Sequence, residues 1–522
     1  MASEGAPDPA AAAEFTFAAL SPTSFLDRAA AVFADRTAIV DGERRFTYRE
    51  FHQRTGRLTA ALETLGIRAG DRVAALCANS HVMLELHHAV PLHGSVLVPL
   101  NIRLSEPELM YILSHSGASL LITTDEFADR ARAVAAASGI RLVVAGGESD
   151  EYEDLLAAEV TSVRREPQEC GLLAINYTSG TTGRPKGVMY HHRGAYLQSV
   201  AMAYHSGLGP GSKYLWTLPM FHCDGWCFTW AVTAAGGTHV CLRTIDTATI
   251  WRHLTDDGVT HFSAAPTVLT MIAEDPAAGP LARTVHVGTG GAPPSPVLLA
   301  RMADFGIDIT HLYGMTETFG PIVVNQWQPE WDTGTADDRA VRKARQGIGN
   351  IVAGQVRVVA PDGVDVAADG ATQGELVVRG NNVMLGYYLD PDATASATLE
   401  GWLRTGDIAV MHPDGYVEIR DRSKDVIISG GENIASIEVE RVLDRHPDVV
   451  ESAVVGRVDD RWGEVPVAYV SVRAGAQVRA NDLIEFARKS LARFKVPKDI
   501  VFAELPKTST GKIQKNVLRD RA

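Results

Sequence analysis

Cysteine is scarce in this chain, with five in 522 residues, at Cys77, Cys170, Cys223, Cys227 and Cys241. So sparse and odd a set provides no disulfide framework and suits a reducing compartment, so a cytoplasmic location is expected. Long apolar runs are missing too. The most apolar window, residues 226–242, is broken by Gly236, Gly237 and His239, which makes it a poor membrane span. The opening MASEGAPDPAAAAEF lacks a basic start followed by an apolar stretch, so no signal peptide is expected, and residues 1–20 read as disordered. Basic residues are in deficit. Lys and Arg number 49 against 63 Asp and Glu, and the formal charge of −14 argues against nucleic acid or acidic membranes as partners. No G-x-S-x-G elbow occurs, which disfavours a serine hydrolase. Cys223 and Cys227 lie beside His222 and Asp224, but no second Cys/His pair follows at zinc spacing, so a packed segment is the better reading.

What is present is ordinary in bulk and specific in detail. Hydrophobic residues make up 46% and charged residues 21%, as in a soluble globular protein large enough for more than one domain. Residues 24–160 alternate helical and strand-like patterns. Helices are expected at 25–33 and 48–65 and strands at 37–40 and 73–76, which is an α/β pattern with parallel connections. The organising stretch is YTSGTTGRPKGVMYHHRG, Tyr177 to Gly194. An apolar strand, 172–175, leads into alternating Ser, Thr and Gly, and Lys186 closes the loop. Hydroxyls, unpaired backbone N–H groups and a lysine converge as an anion site requires, and its glycines let the backbone come close. It is not a Walker A loop, because Lys186 is followed by Gly187 rather than Ser or Thr.

Further clusters follow in order. LPMFHCDGWCFTW, 218–230, reads as a strand turning into a buried helix and carries His222 and Trp226. VHVGTGGAPPSP, 285–296, reads as a strand ending in Gly288, Gly290 and Gly291. DITHLYGMTETFGP, 308–321, offers a ring, hydroxyls and Glu317, a hard oxygen ligand suited to magnesium. TGD stands at 405–407, IRDRSKDVIISGG at 419–431, and LPKTSTGKIQK near the end. The segment 325–345 reads as polar surface structure. The tail reads as a small α+β unit, with Asn481 as a helix N-cap.

YTSGTTGRPKG, YGMTE, TGD and the Gly511-Lys512 pair together resemble the adenylate-forming superfamily of acyl-CoA synthetases, adenylation domains and luciferases, with the closest likeness to bacterial fatty-acyl-CoA ligases. The likeness runs from about Phe25 to Arg521. It implies an α/β fold with a large N-terminal domain of stacked mixed sheets and helices, residues 21–422. A small mobile C-terminal α+β domain, 423–522, would hinge at Lys424. It also implies ATP, magnesium and coenzyme A, and a ligase that activates a carboxylic acid as acyl-adenylate and then transfers it to the CoA thiol.

Carried over residue by residue, Thr178, Ser179, Gly180, Thr181, Thr182 and Lys186 would hold the phosphates. Gly291, Ala292, Pro293, Tyr313, Gly314 and Met315 would meet the adenine side, and Asp407 and Arg422 the ribose. Thr316 and Lys512 would serve the α-phosphate, and Glu317 with Thr178 the metal. His222, Trp226 and Gly290 would line the acyl pocket, with Trp226 as its gate. Gly430, Gly431, Trp462, Arg493, Phe494 and Lys495 would serve CoA. The acyl wall lacks a charged partner, so a bulky apolar acid is expected. The alternatives are an enzyme running mainly the thioester-forming half on supplied adenylate, and one loading a carrier protein. No carrier-like segment follows Lys512. A homodimer is left open.

Overall fold

The computed structural model describes residues 18–157, 162–178, 184–291, 294, 296–422, 424–429, 432–459, 462–473, 475–508 and 512–522. The sequence patterns place the first elements closely. Helix Thr23–Val32, strand Thr37–Asp41, helix Tyr48–Thr64 and strand Arg72–Leu76 occupy the expected stretches. Tyr48–Thr64 begins at a capping box, in which Thr47 accepts from Glu50 N–H while the Glu50 carboxylate takes Thr47 N–H.

Two sheets carry the bulk of the N-terminal domain. One has nine strands, with Ile307–Met315, Val285–Thr289, His261–Ala264, Lys213–Leu215 and Thr238–Cys241 running side by side, all parallel. The other has six strands. Its parallel part ends at Leu172–Thr178, which pairs antiparallel with Lys186–His191. A near-continuous apolar core joins their faces, and Trp216 and Trp230 are fully buried in it. Helix His81–His93 is buried along almost its whole length, so it packs between layers rather than on the surface.

A third, antiparallel sheet contains Gln373–Gly380, Trp402–Met411 and Val417–Arg422. The C-terminal domain has its own sheet, around Val449–Asp459 and Gly463–Val472, and its own apolar clusters. It sits against the rest through Arg441 to Glu418 at 2.6 Å, Ser436 Oγ to Asp421 at 3.0 Å and Arg473 to Glu274 at 2.6 Å.

Two local expectations need correction. The helix expected to start at Asn481 runs Ala480–Arg488 with Arg479 as its cap, because the Asp482 carboxylate accepts Arg479 N–H and so starts the helix earlier. Leu218–Phe221 forms no strand. The chain instead enters a left-handed turn at Cys223 before the buried helix Phe228–Ala235. Among the described residues, no helix is long and apolar enough to cross a membrane.

Candidate active site

The strand ends converge. Thr178 and Lys186 stand opposite each other where the hairpin of Leu172–Thr178 and Lys186–His191 opens into the Ser/Thr/Gly loop. Ser179, Gly180, Thr181 and Thr182 lie outside the described residues, as do Ala292, Pro293, Gly430 and Gly431. Gly187 is needed here, since a Cβ would sit 2.8 Å from Ile175. The Lys186 ammonium faces the Tyr387 ring at 4.9 Å, a cation–π contact. Tyr387 in turn donates its hydroxyl to Glu317 Oε1 at 2.7 Å. Burial and the Glu317 charge both push the Tyr387 phenol upward, so it stays a proton donor.

Tyr387 was not singled out from the sequence. It reaches Glu317 across 70 residues of chain, and its only local sign is the Gly-Tyr-Tyr that follows Leu385.

Strand Ile307–Met315 delivers the second cluster. The Tyr313 hydroxyl donates to Asp407 Oδ2 at 2.6 Å, and Arg422 Nε lies 3.1 Å from Asp407 Oδ1. Asp407 and Arg422 are direct partners across adjoining strands, so the sheet register sets their spacing. At Gly314 a Cβ would collide with the Gly320 carbonyl, so the strand turns back at a point only glycine allows. Met315 leads into the short turn Thr316–Thr318, where Thr316 and Glu317 are nearly buried. The Tyr190 hydroxyl fixes this turn by donating to Thr316 O at 2.6 Å.

Oxygen donors dominate this corner, with the Glu317 carboxylate nearly buried. No group of three or more His, Cys, Asp or Glu among the described residues forms a protein-only metal cage. Such a donor set suits magnesium, which takes one or two carboxylates and fills its shell with phosphate oxygens and water.

The third wall is the turn after His222. Cys223, Asp224, Gly225, Trp226 and Cys227 all have φ between 51° and 62°. Left-handed conformation costs a non-glycine residue roughly 1–2 kcal/mol, so the turn persists because its surroundings hold it. Gly225 is required, since a Cβ there would strike the Trp216 ring. The turn lays the Trp226 indole against Gly290 and Gly320, where added Cβ atoms would come within 3.2 and 3.0 Å of its ring. Trp226 is only 8% exposed. Burial lowers the His222 imidazole to about 4, so it is neutral at pH 7. Cys223 Sγ links this wall to Thr316 Oγ1 at 3.5 Å.

The C-terminal domain supplies the last groups. Lys512 is held in a tight loop, its N–H donating to Thr508 Oγ1 at 3.1 Å and its carbonyl accepting from Thr508 N–H. It keeps solvent access, yet desolvation first and the Arg422 cation next bring its ammonium down to about 8. Asp407, Asp425 and Lys424 also act on it, so Lys512 shares the surroundings of the Asp407–Arg422 pair. Lys424 sits in a turn whose carbonyl accepts from Arg519. Of the residues expected to serve CoA, Trp462 and Phe494 are exposed, as is Arg493. Lys495 is held by Glu438 at 2.7 Å.

Known proteins resemble this chain along almost its whole length. The family model described as AMP-binding enzyme matches residues 26–388, and that described as AMP-binding enzyme C-terminal domain matches 438–512. A peroxisomal acetate/butyrate–CoA ligase of Arabidopsis thaliana is 43% identical over 97% of this chain and 95% of its own length. A 2-methylpropanoate–CoA ligase of Humulus lupulus is 43% identical over 96% of this chain and 95% of its own. The ATP-bound structure of MatB from Rhodopseudomonas palustris superposes with a TM-score of 0.85 at 28% identity, covering 96% of this chain and 98% of that one.

Proposed function

The chain belongs to the AMP-binding enzyme family, and from that premise we propose that it activates a short carboxylic acid with ATP and passes the acyl group to coenzyme A. The observation that carries the reading is the Tyr313–Asp407–Arg422 cluster, together with Tyr387 joining Glu317 to Lys186.

In the first step a carboxylate oxygen attacks the α-phosphorus of ATP, the bond to the β-phosphate breaks, and pyrophosphate leaves. Asp407 would accept the ribose hydroxyls, with Arg422 holding its carboxylate in place. Lys186 and the hydroxyl loop would hold the leaving pyrophosphate. Glu317, with Thr178, would hold magnesium, which neutralises phosphate charge when bound. A neutral His222 would orient the acid without trapping its carboxylate in an ion pair. Lys512 would meet negative charge as it builds on the α-phosphate. Such catalysis is positioning plus electrostatic stabilisation. In the second step the CoA sulfur attacks the acyl carbon, the bond to AMP breaks and the thiol proton is released. For this the C-terminal domain, bounded near residue 423, would turn about Lys424 and withdraw Lys512.

Two things support a short acid over a bulky one. The Trp226 indole already fills the space beside Gly290 and Gly320, and the relatives above are named for acetate, butyrate and 2-methylpropanoate. The test is a panel of acids from acetate to dodecanoate, with benzoate, followed by AMP and thioester release. Acids of up to about six carbons are expected to react best, since each buried methylene without room loses the roughly 0.8 kcal/mol it would otherwise gain. A maximum at dodecanoate or benzoate returns the bulky reading. Adenylate formation without thioester formation points to a carrier protein as acceptor. The five cysteines are all free, which supports a reducing compartment such as the cytoplasm. Fractionation that places the protein in an organelle would remove that reading.

A further inference from the structure

Asp224 has no exposed surface, and it sits inside the left-handed run. Its partners come from two other elements. Asn176 is buried on strand Leu172–Thr178, two residues before Thr178, and donates Nδ2 to Asp224 Oδ2 at 3.1 Å. His87, on helix His81–His93, places Nε2 at 3.3 Å from Asp224 Oδ1. His87 Nδ1 lies 2.7 Å from the Met83 carbonyl, which can only accept, so Nδ1 carries a hydrogen. His87 Nε2 and Asp224 Oδ1 meet in a close contact that lacks hydrogen-bond geometry. The Asp224 backbone is engaged as well, since Thr229 Oγ1 donates to its carbonyl at 3.1 Å.

We infer that Asp224 is a positioning residue for substrate choice. It ties the left-handed turn to the phosphate-side strand through Asn176 and to helix His81–His93 through His87, and so sets where His222 and Trp226 stand in the acyl wall. The inference rests on the ligase reading above. It explains why the wall holds a backbone conformation that its sequence does not favour: the anchor lies at the centre of the turn and reaches outward in both directions. It also links the acid side to the strand that ends at the phosphate loop.

The experiment compares kcat/KM for butyrate and octanoate, with ATP and CoA, in wild-type, Asp224→Asn, Asp224→Ala and Asn176→Ala. The ratio of the two values is independent of how much enzyme is active, so a merely structural defect leaves it unchanged. Asp224→Asn should stay within about twofold of the wild-type ratio, because an amide keeps the side chain's shape and still accepts from Asn176. Asp224→Ala and Asn176→Ala should shift the ratio toward octanoate by about tenfold, the scale of pocket discrimination, with KM for ATP little changed in Asn176→Ala. If Asp224→Ala fails to fold, Asn176→Ala decides the matter, since it leaves the Asp224–His87 pair in place. An unchanged ratio in the alanine variants overturns the inference, as does an Asp224→Asn shift as large as theirs. A wild-type protein that converts neither acid, nor any other in the panel, overturns the ligase reading and this inference with it.

Discussion

The Tyr387 hydroxyl donates to Glu317 Oε1 while the Tyr387 ring faces the Lys186 ammonium, so one side chain holds both a carboxylate and a cation. Tyr387→Phe keeps the ring and removes the donor. A hydrogen bond to a charged group is worth roughly 1.5–3 kcal/mol, so adenylate formation should fall by about ten- to a hundredfold. The magnesium requirement should rise, as it should in Glu317→Gln, where a neutral amide replaces the carboxylate. ATP–pyrophosphate exchange measured against magnesium concentration checks both. Wild-type behaviour in Tyr387→Phe would detach the phenol from the site.

Lys512 carries a pH signature. Desolvation and the Arg422 charge hold its ammonium at about 8 in the free protein, so it is charged below that pH and neutral above it. On the proposed reading, the adenylation half-reaction needs the charged form. Its kcat/KM should therefore fall as pH rises through about 8, while kcat, governed by the ATP-bound enzyme, should hold to higher pH because phosphate favours the ammonium. Lys512→Arg should flatten the alkaline limb. A limb that survives in Lys512→Arg belongs to another group.

Separate half-reactions test the turning of the C-terminal domain. Lys512→Ala should lose adenylation from ATP yet still convert supplied acyl-adenylate and CoA. Lys424→Pro should do the reverse, since proline fixes φ near about −65° and blocks backbone rotation. Equal loss of both halves in both variants would argue against alternation.

Asp444 gives a stability prediction. Burial raises its carboxyl from 3.8 to about 8, although Ser452 Oγ donates to it at 2.7 Å. Below the unfolded value both states hold the proton. Between 3.8 and about 8 only the folded state does, so stability falls as pH rises across that window and levels off above it. Asp444→Asn removes the slope and keeps the acceptor for Ser452. It should stabilise the protein by on the order of a few kcal/mol at pH 8 and by little near pH 4.5, as read by denaturant melts at the two pH values. Equal effects at both would place the titration elsewhere.

Contiguous chemistry was legible in the sequence, and chemistry assembled across the fold was not. Tyr313, Glu317, Asp407, Arg422 and Lys512 each sit inside a short pattern that announces itself, and the strands and helices of residues 23–76 follow plain apolar spacing. Tyr387 and Asp224 act through partners distant in the chain, and no local pattern marks them. The turn at 223–227 was misread because only Gly225 among its residues favours the left-handed region, and the packing imposes the rest. The Asn481 cap failed because a carboxylate one residue later competed for the helix start.

On the proposed reading, the nucleotide half and the acyl half of the site differ in what closes them, and this bears on how the protein could be re-engineered. The nucleotide half is set by main chain: Gly314 lies against the Gly320 carbonyl, and the strand register fixes the spacing of Asp407 and Arg422. Backbone cannot be trimmed, so a mutagenesis library should return that half almost untouched. The acyl half is closed at Gly290 by a side chain, Trp226. A single codon can shrink an indole, so variants with new acid preferences should be recovered there first, with their ATP chemistry intact.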